Sequence, residues 1–392
     1  MENHHKALVW KLSFGIFGIL ITELGVVGIL PLIADTFHVS VTQAGWLVSI
    51  FALGVALAGP VMPLLFSGVN RKTAMLGVQG IFVLSNLVCM VTDNFTVLLL
   101  ARLIPALCHP VYCTLAFTIA AETAGPRDAS KAVARIMMGV SAGMVFGVPV
   151  SSLLAGATSF SAVMLFFAAV NAVAFMLTLL AMPSMPVGSR VAYGTQLSLL
   201  RSRLTWISLA TVALIAASMA SVYSYVADYL KNVAQLAPHT LSLTLLLFGL
   251  ASICGNPVAG RLLSTNPLRA VFLFPFVLGV IYIALYFVGP STLTMLVLAC
   301  LWGVVYGAGN NFQQYWIASA LPDSPELATG LFLSFGNIGI TLGTTIGGMF
   351  IAGMGIRSII LGGLLFLALT FASILIRNLM LRQIPAPVLA AK

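Results

Sequence analysis

Apolar runs of about 20 residues recur along the whole chain, parted by short polar stretches, and each is long enough to cross a hydrocarbon core of roughly 30 Å as an α-helix. Twelve such runs are present, at about 9–33, 44–66, 74–92, 96–121, 136–157, 161–182, 205–227, 240–262, 269–288, 292–318, 326–352 and 356–378. No stretch is left over for a soluble domain. The pattern predicts an all-α membrane protein with twelve transmembrane helices. The first run lacks a small-residue cleavage site behind a short apolar core, so it reads as a retained span and the mature chain begins near Met1.

The longest polar stretch, PSMPVGSRVAYGTQLSLLRSR (183–203), lies midway between two groups of six runs and reads as a linker. This divides the chain into residues 1–182, a linker at 183–204 and residues 205–392. A faint repeat joins the halves. Phe51, Leu53 and Pro60 have the spacing of Phe248, Leu250 and Pro257, and Gly139, Gly143 and Gly147 recur 200 positions later as Gly339, Gly343 and Gly347. Two parallel repeats of six helices suggest a transporter with a central site between them.

Composition agrees, with 60% hydrophobic residues, 7% charged residues and a mean hydropathy of +1.09, a balance that excludes a soluble domain. With a cytoplasmic N-terminus, fifteen of the eighteen Lys and Arg fall on the cytoplasmic side, Lys231 and Arg357 fall outside, and Arg102 lies within the fourth run. The positive-inside rule then puts both termini in the cytoplasm. The net charge of +9 reports topology and contact with anionic membrane lipid, not nucleic-acid binding. The five cysteines sit in or beside apolar runs without metal-ligand spacing and read as packing residues. No GxxxxGK[ST] loop, HExxH pair or nucleophile constellation is present, so the chain reads as neither an enzyme nor an ATP-driven pump, and no cofactor or metal is expected.

Chemistry concentrates in a few intramembrane residues. The stretch ITELGVVGILPLIAD (21–35) carries one acid, Glu23, near the middle of the first run, where a carboxylate is costly and marks a functional site by default. In the fourth run, Arg102 and His109 are seven residues apart and share one helical face, about 10 Å apart along the axis. Pro105 and Pro110 free the carbonyls of Ala101 and Ala106, so an irregular, cavity-lining helix is expected there. Asp228 is a second acidic candidate, near the outer end of the seventh run. In the fifth, Gly139, Gly143, Gly147, Ser151 and Ala155 recur every four residues as a small-residue stripe for close helix contact, bent at Pro149. Tyr223, Tyr225, Asn310, Asn311, Gln313, Gln314 and Asn337 bring phenols and amides to the second half, which suit hydroxyls or heterocycle edges. Phe14, Phe51, Tyr112 and Trp302 are candidate ring-stacking residues.

Together, TELGVVGILPLIAD, AGWLVSIFALGVALAGP, ARLIPALCHP, GVSAGMVFGVPVSSLLAG, YSYVADYL and GLFLSFGNIGITLGTTIGG resemble the bacterial major facilitators, specifically the twelve-helix drug, sugar and nucleoside efflux group of proton antiporters, over essentially the whole chain. The stretch LLFSGVNRK keeps the basic pair Arg71 and Lys72 of the family's gating loop, with Ser67 where an Asp is typical. The fourth helix keeps Arg102, with Pro105 and Ala106 where Gln and Gly are typical. The resemblance implies that helices 1 and 4 face a central cavity and that Glu23 approaches Arg102 or His109. It also implies that the glycine stripe seals the pathway. A carboxyl held between burial, which favours its neutral form, and a cation, which favours its charged form, is suited to loading and releasing a proton.

The expected function is therefore proton-coupled antiport, with Glu23, His109, Arg102 and Asp228 as coupling candidates. Tyr112, Tyr223, Tyr225, Asn310, Asn311, Gln314 and Asn337 are the candidates for the cargo. The partners are protons, lipid and a small solute, purine-, nucleoside- or sugar-like, exported by a monomer in a bacterial inner membrane. The alternatives are multidrug or chloramphenicol-type efflux, and a non-transporting membrane sensor on the same fold.

Overall fold

In hydrocarbon each peptide group must be satisfied within its own segment, and the chain answers with helices. The computed structural model describes residues 2–66, 68–185, 202–321 and 325–382, and among these there is no strand. Twelve helical spans are long and apolar enough to cross a membrane: α1 (Ala7–Phe37), α2 (Val41–Ala58), α3 (Arg71–Val91), α4 (Phe95–Ala124), α5 (Arg135–Ala157), α6 (Phe160–Leu180), α7 (Arg203–Asn232), α8 (Pro238–Thr265), α9 (Pro267–Phe287), α10 (Thr292–Ala318), α11 (Gly330–Met354) and α12 (Ile356–Leu381). Their starts are chemically marked. Ser40 and Gln43 form a reciprocal capping box at α2, Asn94 accepts from Thr96 and Val97 N–H at α4, and Ser159 accepts from Ala162 N–H at α6. Most of the expected linker, together with Ser67, lies outside the described residues.

The spans differ from the sequence pattern in two places. First, α4 and α5 belong to one continuous helix, Phe95–Ala157, instead of two runs with a break. Contacts along α1 show that its two parts run oppositely. Gly15 faces Tyr112 and Thr22 faces Arg102, whereas Ser13, Leu20 and Ile21 face Gly139, Gly143 and Gly147 in turn. Second, α1 and α7 are broken. The α-helix of α1 gives way to a 3-10 turn at Val26–Ile29 ahead of Pro31, which cannot donate to the preceding turn. In α7 the helix stops at Tyr223 and resumes at Val226.

The helices pack both within and across the two sets of six. Within the first half α1 packs on α4, α5 and α6. In the second, α7 packs on α11 and α12, and α8 on α10. Across the halves α2 lies along α11. There Thr42 Oγ1 donates to Gly348 O at 2.9 Å, and Ser49 and Thr345 share a hydroxyl contact of 3.2 Å. Helix α5 meets α8 through Ser242 and Ser152, 3.2 Å apart, and through Val145 O, which lies against Gly249. Helix α1 meets α7 through the segments beyond their breaks, where Lys231 Nζ is 3.7 Å from Asp35 Oδ2. The α1–α7 and α5–α8 contacts lie in the membrane half away from the termini, and α4 and α10 share no packed seam among the described residues. The centre is therefore closed on the side of the α1–α2 turn.

Closure at Ser152 and Ser242 is testable by crosslinking. Changing both to cysteine is expected to give an oxidant-dependent disulfide, because the hydroxyl separation already approaches what a disulfide needs. It should also stop transport until a reductant is added. Efficient crosslinking with undiminished transport would mean that this seam does not open in the cycle.

Candidate functional site

The carboxylate of Glu23 lies within α1 two residues short of the helix break, 16% exposed, with Oε2 at 3.3 Å from His109 Nε2, whose side chain is 13% exposed. Arg102, one face along α4, is 3% exposed and does not meet that carboxylate. Its guanidinium donates instead to the backbone, Nη1 to Thr22 O and Nη2 to Glu23 O, both at 3.2 Å. It also stands 5.0 Å from the centroid of Phe51, whose ring meets His109 edge-on at 6.1 Å. The arginine thus holds the strand of backbone that carries the acid, and the histidine holds the acid. His109 Nδ1 and Arg102 Nε are buried without hydrogen-bond partners.

Both prolines of α4 are accommodated without an interruption in the helix, contrary to the expected irregularity. The carbonyl of Ala101 freed by Pro105 accepts from the Ser85 hydroxyl of α3. Behind Glu23 a buried polar network fixes α1. Asn171 Nδ2 donates to Gly18 O at 3.0 Å and to Thr22 Oγ1 at 2.8 Å, and Asn86 Nδ2 reaches Thr22 Oγ1 at 3.3 Å. Such groups are kept in hydrocarbon only when paired. Cys113 Sγ, one turn beyond His109, is 3.6 Å from Nε2. Arg102 and Glu23 bring opposite charges to the site, and the imidazole of His109 lies beside the carboxylate.

The other sequence candidates divide. Tyr223 stacks on Phe248 at 5.0 Å and 23°, and Tyr306 lies 5.0 Å from Tyr223. Trp302 meets Phe248 at 4.8 Å. Asn310 is partly exposed one turn after Tyr306, and Gln314 is exposed on the following turn. Asn311 Nδ2 donates to Asn256 Oδ1 at 2.7 Å, and Asn337 Nδ2 to Leu333 O at 2.9 Å. Two expectations need correction. Tyr112 is fully buried in the first half, where its hydroxyl accepts from Gln79 Nε2, and Tyr225 spends its hydroxyl on Thr344 O at 2.9 Å. Neither offers a free group to cargo. Asp228 is buried near the closed end and accepts from Asn232 at 2.6 Å, with no bond to Glu23, His109 or Arg102.

Packing residues are also separated by the geometry. A Cβ on Gly139 would lie 2.2 Å from Ser13 O and one on Gly143 2.5 Å from Leu20 Cβ, but one on Gly147 would make an ordinary 3.6 Å contact. Pro149 frees the carbonyl of Val145, the same carbonyl that abuts Gly249. Arg71 forms a bidentate pair with Glu122, its Nη2 at 3.1 Å from Oε1, which ties α3 to the end of α4 inside one half. The N–H of Lys72 is capped by Asn70 Oδ1 at 3.0 Å. Sequence reasoning passed over Ser85, Asn86, Asn171 and Tyr306. A polar residue inside an apolar run was their signal.

A family model described as Major Facilitator Superfamily matches residues 12–325 and 209–388. Among curated proteins the chain is similar to an uncharacterized MFS-type transporter, YtbD, of Bacillus subtilis (strain 168), 28% identical over 360 residues, covering 90% of this chain and 91% of that protein. It is also similar to a probable sugar efflux transporter of Pasteurella multocida (strain Pm70), 24% identical, covering 88% and 85% of the two chains. Among solved structures it resembles a bacterial homologue of the human lysosomal transporter Spinster with a TM-score of 0.81 at 17% identity, covering 99% of this chain and 100% of that one.

Proposed function

The chain belongs to the Major Facilitator Superfamily, a family of transporters and not of enzymes, and from that premise we propose that it is a proton-coupled antiporter exporting a small polar organic solute. The observation that carries the proposal is the Glu23–His109 pair, 3.3 Å apart and partly exposed inside the membrane. An intramembrane carboxylate with an imidazole partner has two ionisation states to alternate between, and the arginine beside it offsets a negative charge in hydrocarbon. In one orientation the pair takes a proton from outside, and in the other it yields the proton inward as cargo departs. The resemblance to a probable sugar efflux transporter supports the outward direction and a polar cargo.

In this reading the halves, residues 1–182 and 205–392, rock about the pair as a monomer in a bacterial cytoplasmic membrane. Both termini face the cytoplasm, and the central site opens toward it. A reporter fused after Lys392 should then be cytoplasmic and one inserted between His38 and Gln43 external, as the charge bias demands. Reporters on one side would overturn the orientation. Export itself is tested in inside-out vesicles with an imposed pH gradient. Accumulation of sugar or purine probes that collapses with the gradient supports antiport, whereas binding without flux would make the chain a sensor.

A further inference from the structure

The two halves do not repeat their chemistry at the positions where they repeat their packing. On α1 and α7, paired with α5 and α11, the offset is 200: Gly139 against Ser13 matches Gly339 against Ala213, and Gly147 beside Ile21 matches Gly347 beside Ser221. On α2 and α4, paired with α8 and α10, it is 197: Gly54 against Ala106 matches Ala251 against Gly303. These registers make Tyr223 the counterpart of Glu23, Phe248 of Phe51 and Tyr306 of His109. The contacts correspond as well. Phe51 meets His109 edge-on, Phe248 meets Tyr306 edge-on at 5.3 Å, and Tyr223 lies beside Tyr306 as Glu23 lies beside His109.

We infer that the cluster of Tyr223, Phe248, Trp302 and Tyr306 is the cargo site, and that it takes a planar heteroaromatic ring of purine-base type. This rests on the export reading above. Phe248 and Trp302 are each 4% exposed, while Tyr223 and Tyr306, packed against Phe248, are partly exposed. Their hydroxyls take no hydrogen-bond partner among the described residues, and Asn310, one turn past Tyr306, adds an amide. Stacked rings with phenol and amide groups at the edge match a flat base with donors and acceptors on its rim. An aliphatic drug would leave the polar edge unpaired, and a pyranose, which packs only its C–H face on a ring, would cover less of the aromatic surface than a flat base. The ion cluster of the first half handles the proton, and its aromatic counterpart handles the solute.

The test uses the full chain in nanodiscs, with hypoxanthine, inosine and glucose as probes, read by tryptophan fluorescence and thermal shift. Hypoxanthine and inosine should bind and glucose should not. Tyr223→Leu and Tyr306→Leu should each weaken binding about tenfold or more. Tyr223→Phe and Tyr306→Phe, which keep the rings and control for folding, should stay within about threefold. The assignment is overturned if neither ring compound binds, if the leucine variants bind as the wild type does, or if glucose competes equally. Sugar flux that follows the pH gradient, without ring binding, would sink this assignment and spare antiport. Ring binding without gradient-dependent flux would do the reverse.

Discussion

Glu23→Gln should abolish uphill export while leaving exchange of solute for solute. Glutamine keeps the shape and the hydrogen-bonding reach toward His109 Nε2 but holds the site permanently in its uncharged form, so no proton is taken up or released in a cycle. Moving one proton inward against one neutral solute carries one charge. A potential of about 150 mV then contributes roughly 3.5 kcal/mol, or a few hundredfold in concentration. That whole gradient is the expected loss. The measurement compares inside-out vesicles bearing wild type, Glu23→Gln, His109→Gln and Asp228→Asn under an imposed pH gradient and potential. His109→Gln should impair coupling, and Asp228→Asn should leave it near wild type, since Asp228 has its own partner in Asn232. Undiminished uphill transport by the Glu23 variant would return that carboxylate to a structural role.

A single methyl group at Gly139 should damage the protein more than one at Gly147, although the sequence presents the two as equals in a regular stripe. At Gly139 the added carbon meets a carbonyl oxygen of α1 at 2.2 Å, backbone against backbone, with no side chain free to turn away. Gly339 meets Ala213 O at the same distance in the other half. Relief requires the helices to separate, and overpacking of this kind costs about 1–3 kcal/mol. Gly139→Ala and Gly339→Ala should each lower the unfolding temperature of the purified protein and its yield in the membrane. Gly147→Ala, with 3.6 Å available, should change neither. Equal melting of all three variants would show that α1 and α5 are not held at the distances described.

Much of this was legible because lipid leaves a chain so few options. Twelve apolar runs demanded twelve helices, and Glu23, Arg102 and His109 stood out because charge is scarce at that depth. Their pairing was less legible. Glu23 and Arg102 suggest an ion pair by charge alone, yet the guanidinium is turned onto the carbonyls of Thr22 and Glu23, a choice that depends on where the backbone of α1 passes. Tyr112 and Tyr225 misled for a related reason. A phenol serves equally well in a wet cavity or as a strut between helices, and only the position of Gln79 or of Thr344 O decides which. The aromatic cluster was half visible, since Tyr223 and Trp302 were marked individually, but nothing in the linear order gathers them around Phe248.

The contrast between the two kinds of helix contact has a kinetic consequence. Glycines against carbonyls weld α1 to α5 and α7 to α11, so these pairs travel as blocks. The joins between halves hold fewer such contacts, Gly249 against Val145 O being one, and rely on short hydroxyl contacts, Thr42 to Gly348, Ser49 to Thr345 and Ser242 to Ser152. Interhelical hydrogen bonds in membranes average about 0.6 kcal/mol, and a serine or threonine that loses one can bond back to its own helix. Such joins act as a bearing surface, on which the blocks slide by exchanging weak partners one at a time. In the transport cycle proposed above, the strength of these joins would help set the dwell in each orientation. Replacing the seam hydroxyls with alanines should shorten that dwell without altering how tightly cargo or proton is held.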